Sequence, residues 1–197
     1  MDFSLRSIFG LAQFSVQNPR AASRSLMAMN LPKNARWLLF FLSVIASALA
    51  SYIGFRLLPA DAQVIWADAM SRPMQNVILQ TAFWLLAVVG LHRAGRWGGN
   101  PGSFADTLLL VSWWQILFFG LQAVQILALL VFPLLGEMLG LIGLVAVMWL
   151  LTQFVMELHG FQYFWRVFPL VLGALFVAVV ALGLILAVLV FAFTGRV

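Results

Sequence analysis

Residues 167–193 read VFPLVLGALFVAVVALGLILAVLVFAF, an apolar run without a charged side chain. A run of more than about 18 such residues is long enough to cross the hydrocarbon core of a bilayer as a helix. Working back towards the N-terminus, the same reading recurs at about 37–58, 74–91, 107–131 and 134–158. Together these make five spans. The chain has 197 residues, of which 64% are apolar and 9% charged, and its mean hydropathy is +1.05. That is far above what a water-soluble domain of this length carries. The expected fold is an all-α integral membrane protein: five transmembrane helices preceded by short interfacial N-terminal helices. Five spans leave no room for a soluble catalytic domain, which excludes a Rossmann-type or barrel enzyme.

The chain divides into a cytoplasmic or interfacial amphipathic segment, 1–36, and a five-helix transmembrane domain, 37–197. The first span, Trp37 to Leu58, is bracketed by Arg36 and Arg56 and stopped by Pro59 and Asp61. At 1.5 Å per residue it reaches about 33 Å. The second, Met74 to Leu91, is short and implies little tilt or a thinned membrane. Arg93 to Ser103 holds four Gly and one Pro and reads as a loop. Ser103 is placed to cap the third span, with Asp106 at the N3 position of a capping box. Phe132 and Pro133 end that span. The fourth follows so closely that the two form an antiparallel hairpin, split by a turn whose single charge is Glu137. His159 and Gly160 close the fourth span.

Charge sets the expected orientation. With the N-terminus inside, the inner segments hold Arg6, Arg20, Arg24, Lys33, Arg36, Arg93, Arg96 and Arg166, and the outer ones Arg56, Arg72 and Arg196. Eight against three places the N-terminus in the cytoplasm and the C-terminus outside. No signal-peptide h-region with a cleavage site precedes the first span, which implies direct insertion. The net charge of +5 belongs to this bias, and its density is too low for a nucleic-acid groove. The absence of Cys excludes disulfides, thiolate metal sites and thiol catalysis.

In the first 36 residues, Leu5, Ile8, Phe9 and Ala12 share a helical face, consistent with a short helix lying in the interface. Asn18-Pro19 starts a second helix, Asn as N-cap and Pro at N1, running to Met29. It sets Arg20 and Arg24 four apart on one face. Arg20, Arg24, Lys33 and Arg36 are candidate contacts for anionic lipid headgroups, each contributing about 1 kcal/mol near the surface. Their other reading is that they set topology alone.

Small and polar residues within the spans divide into two sets. Ser43, Ser47 and Ser51, with Ala46, Ala50 and Gly54 beside them, permit close helix approach. Gly136, Gly140 and Gly143, and Gly173 with Gly183, read as packing or local bending. The amides Gln80, Gln115, Gln122, Gln125 and Gln153 should face the bundle, because hydrocarbon offers no hydrogen bonds. Ser112, Gln115, Gln122 and Gln125 form a polar stripe on the third span. It can bind neighbouring helices, line a conduit or receive a partner. Glu157 and His159 complete the candidate functional residues. Positions i and i+2 do not share a helix face, so they make a poor dyad. A Glu157–Arg166 ion pair beneath the aromatic stretch Phe161 to Trp165 accounts for Glu157; proton or ion coupling is the other reading. His92 and His159 cannot complete a metal site, and HExxH, Walker A, GxGxxG and GxSxG are all missing. No catalytic residue, metal site or cofactor is expected.

Three features resemble the Yip1-domain family of five-span membrane proteins: Asn18-Pro19 opening NPRAASRSLMAM, the Gly-rich loop entering the third span (GGNPGSFADTLLLVSWWQ), and the close succession of the last three spans with almost no tail. The resemblance covers roughly residues 10–195. It implies a helical bundle with a cytoplasmic N-terminus. Eukaryotic members resemble trafficking adaptors that bind small GTPases and one another. Their Asp-Leu-Tyr-Gly-Pro motif is absent here, and the short N-terminal region matches the compact bacterial type. That implies a bacterial inner membrane. Only Asn18-Pro19 carries over, as a structural start.

The leading expectation is a non-enzymatic scaffold or accessory protein organising lipid or a partner, its partners being membrane lipids, another membrane protein or a second copy of itself. Removal of residues 1–30 should then abolish association and leave the spans inserted. The alternative is a small transporter or channel subunit with a polar path along the third span. A membrane-embedded enzyme ranks third.

Overall fold

The computed structural model describes residues 5–57, 72–96 and 102–194. Pro59 and Asp61, the Trp97–Pro101 part of the glycine-rich loop, and Arg196 lie outside the described residues. Within them are seven helices: α1 (Leu5–Gln17), α2 (Pro19–Ala28), α3 (Lys33–Arg56), α4 (Pro73–Arg96), α5 (Phe104–Val131), α6 (Pro133–His159) and α7 (Phe164–Thr194). Five of them, α3 to α7, are long and apolar enough to cross a membrane. The fold is all-α, with two short helices ahead of the five long ones, as the sequence predicts.

The helix ends follow local chemistry. At α5 the Ser103 hydroxyl accepts from the Asp106 N–H at 3.0 Å and donates to the Asp106 carboxylate at 2.6 Å. The N-cap half of the expected capping box forms, while the Asp106 carboxylate takes the Ser103 hydroxyl in place of the Ser103 backbone N–H. Phe132, extended at φ −140°, is the single residue between α5 and α6, and Pro133 opens α6 at its first turn. Gly160 ends α6 in the left-handed region at φ 70°, the conformation that suits glycine best. Asn18 does occupy the cap position of α2, but its side chain makes no capping bond; Pro19 alone pre-sets the turn. The fourth helix is longer than the apolar run that announced it. α4 continues past Leu91 through His92 and Arg93 to Arg96 and counts 24 residues, about 36 Å. That reaches across an ordinary bilayer, so no thinned membrane is required.

α3 and α5 run parallel, because Arg36 meets Asp106 near their starts and Ser51 meets Gln122 further along. α5 and α6 form the antiparallel hairpin. Gly136, Gly140 and Gly143 of α6 face Leu129, Gln125 and Leu121 of α5 so closely that added Cβ atoms would collide. Beyond them the Trp114 indole N–H donates to the Val147 carbonyl at 2.6 Å. α7 packs against α4, where Gly90 lets the Ala174 backbone approach. Trp114 stacks on Phe118 and lies 5.1 Å from Trp84, which ties α4 to the α5–α6 pair.

Two glycines make none of the close contacts that the packing reading expects. Gly173 and Gly183 of α7 would meet nothing within 4 Å if they carried a Cβ. They mediate no close approach inside this chain: Gly173 is exposed on the outward face between buried Val171 and Ala174, and Gly183 lies beyond Ala178, the last buried position of α7 among the described residues.

Candidate functional site

The polar side chains concentrate at one end of the bundle, where α3, α5 and α7 begin and α4 and α6 finish. There α1 and α2 lie against the bundle, and α2 packs lengthwise on α6 and touches α5. Ala22, Ser23 and Leu26 of α2 are buried. The Trp113 indole N–H donates to the buried Ser15 hydroxyl at 2.9 Å, which fixes the end of α1 to the flank of α5. The face of α1 turned inward is Leu11, Ala12 and Ser15, whereas Ile8 and Phe9 point outward. Of the face read from the sequence, Ala12 packs inward while Ile8 and Phe9 are exposed. Ser15, a polar residue, anchors the helix instead.

Two pairs of side chains, each spaced by one helical turn, hold α2 on α6. The Arg20 guanidinium donates to the Gln153 amide oxygen at 3.0 Å and reaches the Met156 sulfur at 3.4 Å. Arg24 pairs with Glu157 at 2.9 Å. The sequence predicts Arg166 as the partner of Glu157, and the structure corrects this. Gly160 turns the chain away at the end of α6, and Arg166 lies over the Tyr163 ring, 5.1 Å from its centre. α2, running along α6, brings Arg24 to the carboxylate. The sequence reading marks Gln153 only as an intramembrane amide, without a role. The signal for its role is nonetheless there: Gln153 and Glu157 are four apart, as are Arg20 and Arg24.

Arg36 is turned into the bundle. One guanidinium nitrogen pairs with Asp106 at 2.6 Å, another donates to the Leu31 carbonyl at 2.9 Å, and its side chain is 9% exposed. Lys33 is exposed at the start of α3. His159 is fully buried. Its ring lies where a Cβ on Gly95 would sit, and its Nδ1 accepts the Gly102 N–H at 3.4 Å. It thereby packs between the end of α4 and the approach to α5, a role that needs no chemistry.

The four-residue stripe on α5 divides among neighbours. The Ser112 hydroxyl returns to its own helix, donating to the Leu108 carbonyl at 2.6 Å. Gln122 donates to Ser51 of α3 at 3.3 Å, while Gln125 faces Gly140 of α6. Gln115 is completely buried, and neither its amide oxygen nor its amide nitrogen has a hydrogen-bond partner. The stripe is thus not one continuous polar line. Among the described residues, no group of three or more His, Cys, Asp or Glu side chains gathers as metal ligands would.

A groove of about 320 Å³ lies on the flank of the bundle at the α1–α2 junction, lined by Gln17, Asn18, Arg20, Arg24, Trp149 and Gln153 among others. Comparison with known proteins adds one match: the sequence model described as Yip1 domain covers residues 15–192. No curated protein and no solved structure matches the chain.

Proposed function

The chain belongs to the Yip1-domain family, and from that premise we propose that it is a non-enzymatic membrane scaffold or accessory protein of the compact bacterial type. Its N-terminal helix pair is the part that meets lipid or a partner. The observation that carries this reading is the way the pair is mounted. Polar anchors, the buried Ser15–Trp113 bond and the half-buried Arg20–Gln153 bond, fix its inner face. Its outer face presents Phe9, 74% exposed, and Val16, 60% exposed. A rigid platform with an apolar outer edge suits recognition. Arg36–Asp106 joins α3 to α5 and Arg24–Glu157 aligns α2 on α6, and among the described residues no acid, base and nucleophile converge.

The proposed membrane is the bacterial inner membrane, with the N-terminal helices in the cytoplasm. Arg20, Arg24, Lys33, Arg36, Arg93, Arg96 and Arg166 gather at the α2 end of the bundle, while Arg56 and Arg72 mark the other. That asymmetry supports the orientation. A periplasm-active reporter fused after Val197 should be active, and a cytoplasm-active one silent.

Deleting residues 1–30 would strip buried α2 side chains from the bundle, so the test is made on the outer face. Phe9→Ser/Val16→Ser should insert and unfold like the wild type. Intact-complex mass spectrometry of protein extracted from native membranes should show a stoichiometric partner or tightly held lipid on the wild type and its loss from the variant. A wild-type chain carrying neither would remove the proposal.

The second reading, a transporter or channel subunit, is favoured above all by Gln115, whose amide oxygen and nitrogen both lack a partner, joined by Ser47 Oγ and Gln122 Oε1. A buried amide with no partner in the bilayer core is costly and needs water or a solute to satisfy it. Liposomes containing the protein should then pass a small solute or protons, and Gln115→Leu should abolish that flux. Absence of flux in the wild type removes this reading.

A further inference from the structure

The groove at the α1–α2 junction is more specific than the platform that carries it. We propose that it is a binding site for the headgroup of an anionic phospholipid, with Arg20 and Arg24 as the phosphate-binding groups. The inference rests on the reading of the protein as one that meets lipid through its N-terminal helices.

Charge is the first argument. Arg20 is held by neutral groups, the Gln153 amide oxygen and the Met156 thioether. Among the described residues its guanidinium has no carboxylate partner, the two ion pairs being Arg24–Glu157 and Arg36–Asp106. A guanidinium fixed in place beside lipid calls for an anion. Its planar fork offers N–H groups to phosphate oxygens in pairs. Arg24, one turn on, is 62% exposed, so its remaining N–H groups are open to the same ligand. The groove lining carries two guanidinium groups, and the Glu157 carboxylate beside them is taken up by its ion pair with Arg24.

Depth is the second. α6 has 27 residues and rises about 40 Å, roughly 10 Å more than the hydrocarbon core. A helix centred on the bilayer therefore meets the hydrocarbon boundary about 5 Å from each end. Glu157, Gln153 and Trp149 follow from the His159 end at about 3, 9 and 15 Å. The groove thus straddles the hydrocarbon boundary, with the Arg24–Glu157 pair on its headgroup side, open to a lipid phosphate, and the Arg20–Gln153 bond about 4 Å below it. Trp149, 38% exposed, lies about 10 Å below the boundary and faces the acyl chains. The groove volume of about 320 Å³ accommodates a headgroup without displacing protein.

The test is lipid retention by the full chain, measured by native mass spectrometry from micelles titrated with phosphatidylglycerol, phosphatidylcholine or inorganic phosphate. The wild type should retain phosphatidylglycerol over phosphatidylcholine. Arg20→Gln should weaken phosphatidylglycerol binding about fivefold, the effect of one cation at a membrane surface. Glu157→Gln removes the competing carboxylate and should strengthen binding, a gain that misfolding cannot produce. Gln153→Leu breaks the clamp and keeps the charge, so it should change binding by less than about twofold. Arg166→Gln, outside the groove, should change nothing. The proposal fails if Arg20→Gln binds like the wild type, if Gln153→Leu loses as much as Arg20→Gln, or if Glu157→Gln gains nothing. Displacement of the lipid by millimolar inorganic phosphate also overturns it, as a site for a free anion. In each case a Phe9→Ser/Val16→Ser variant that still loses its associated partner leaves the scaffold reading standing.

Discussion

Two ion pairs at the same end of this bundle differ in what they contribute, and burial decides the difference. Arg36 is 9% exposed and Asp106 25%. Each has a further bond, Arg36 to the Leu31 carbonyl and Asp106 to Ser103. Removing one partner of such a pair strands a charge in a medium that solvates it poorly. Asp106→Ala, which also removes the acceptor of the Ser103 hydroxyl, should destabilise the fold by about 3–5 kcal/mol. Denaturant unfolding in mixed micelles measures this, and a loss below about 1 kcal/mol would mean the pair is solvated after all. Arg24–Glu157 has the same chemistry, yet Arg24 is 62% exposed. Water and salt screen it, so Arg24→Gln should cost less than about 1 kcal/mol. The two substitutions compared in one assay separate a pair that holds α3 to α5 from one that only steers α2.

Among the helices, the glycines show how one sequence pattern acquires two meanings. Gly136, Gly140 and Gly143 on α6 and Gly173 and Gly183 on α7 all lie in apolar runs, and spacing alone reads both sets as packing faces. The first set does pack. A Cβ on Gly136 would come within 2.8 Å of the Leu129 backbone nitrogen, an atom that cannot move without shifting α5. The second set meets nothing within 4 Å. Gly136→Ala should therefore destabilise the protein by about 1–3 kcal/mol. Gly183→Ala should be neutral or stabilise by up to about 1 kcal/mol, because alanine is the better helix former. Equal thermal shifts for the two would show that α6 does not press on α5. What decides between them is the helix opposite, which the spacing of glycines does not encode. Span content was legible for the reverse reason: apolar length is a property of one segment and needs no partner. Pro19 and the Ser103–Asp106 cap were legible too, since both act on their own helix.

At the scale of the molecule, long-range pairing was the part the sequence withheld. Glu157 finds Arg24, 133 positions away, in preference to Arg166, nine positions away, because α2 lies along α6. The groove at the α1–α2 junction exists only through that contact, so its residues could be named singly but not assembled. The order of helices in the bundle is of the same kind: α3 packs on α5 and α4 on α7, neither pair adjacent in the chain. The α4–α7 contact admits a direct test. The chain contains no Cys, so any introduced pair reports on itself alone. A Cβ built on Gly90 lies 3.5 Å from the Cβ of Ala174, at the short end of the disulfide range of about 3.5–4.5 Å. Gly90→Cys/Ala174→Cys, oxidised in the membrane, should close a bond within one chain, seen as a mobility shift that reductant reverses and as a linked peptide pair. Gly90→Cys/Gly183→Cys is the control: it moves the second cysteine further along α7, to a position with nothing within 4 Å, and should give no such bond. Cross-links between chains in place of within them would make α7 an intermolecular element. No cross-link in either pair would place α7 elsewhere around the bundle, and the parallel and antiparallel seams of α3, α5 and α6 would then stand without it.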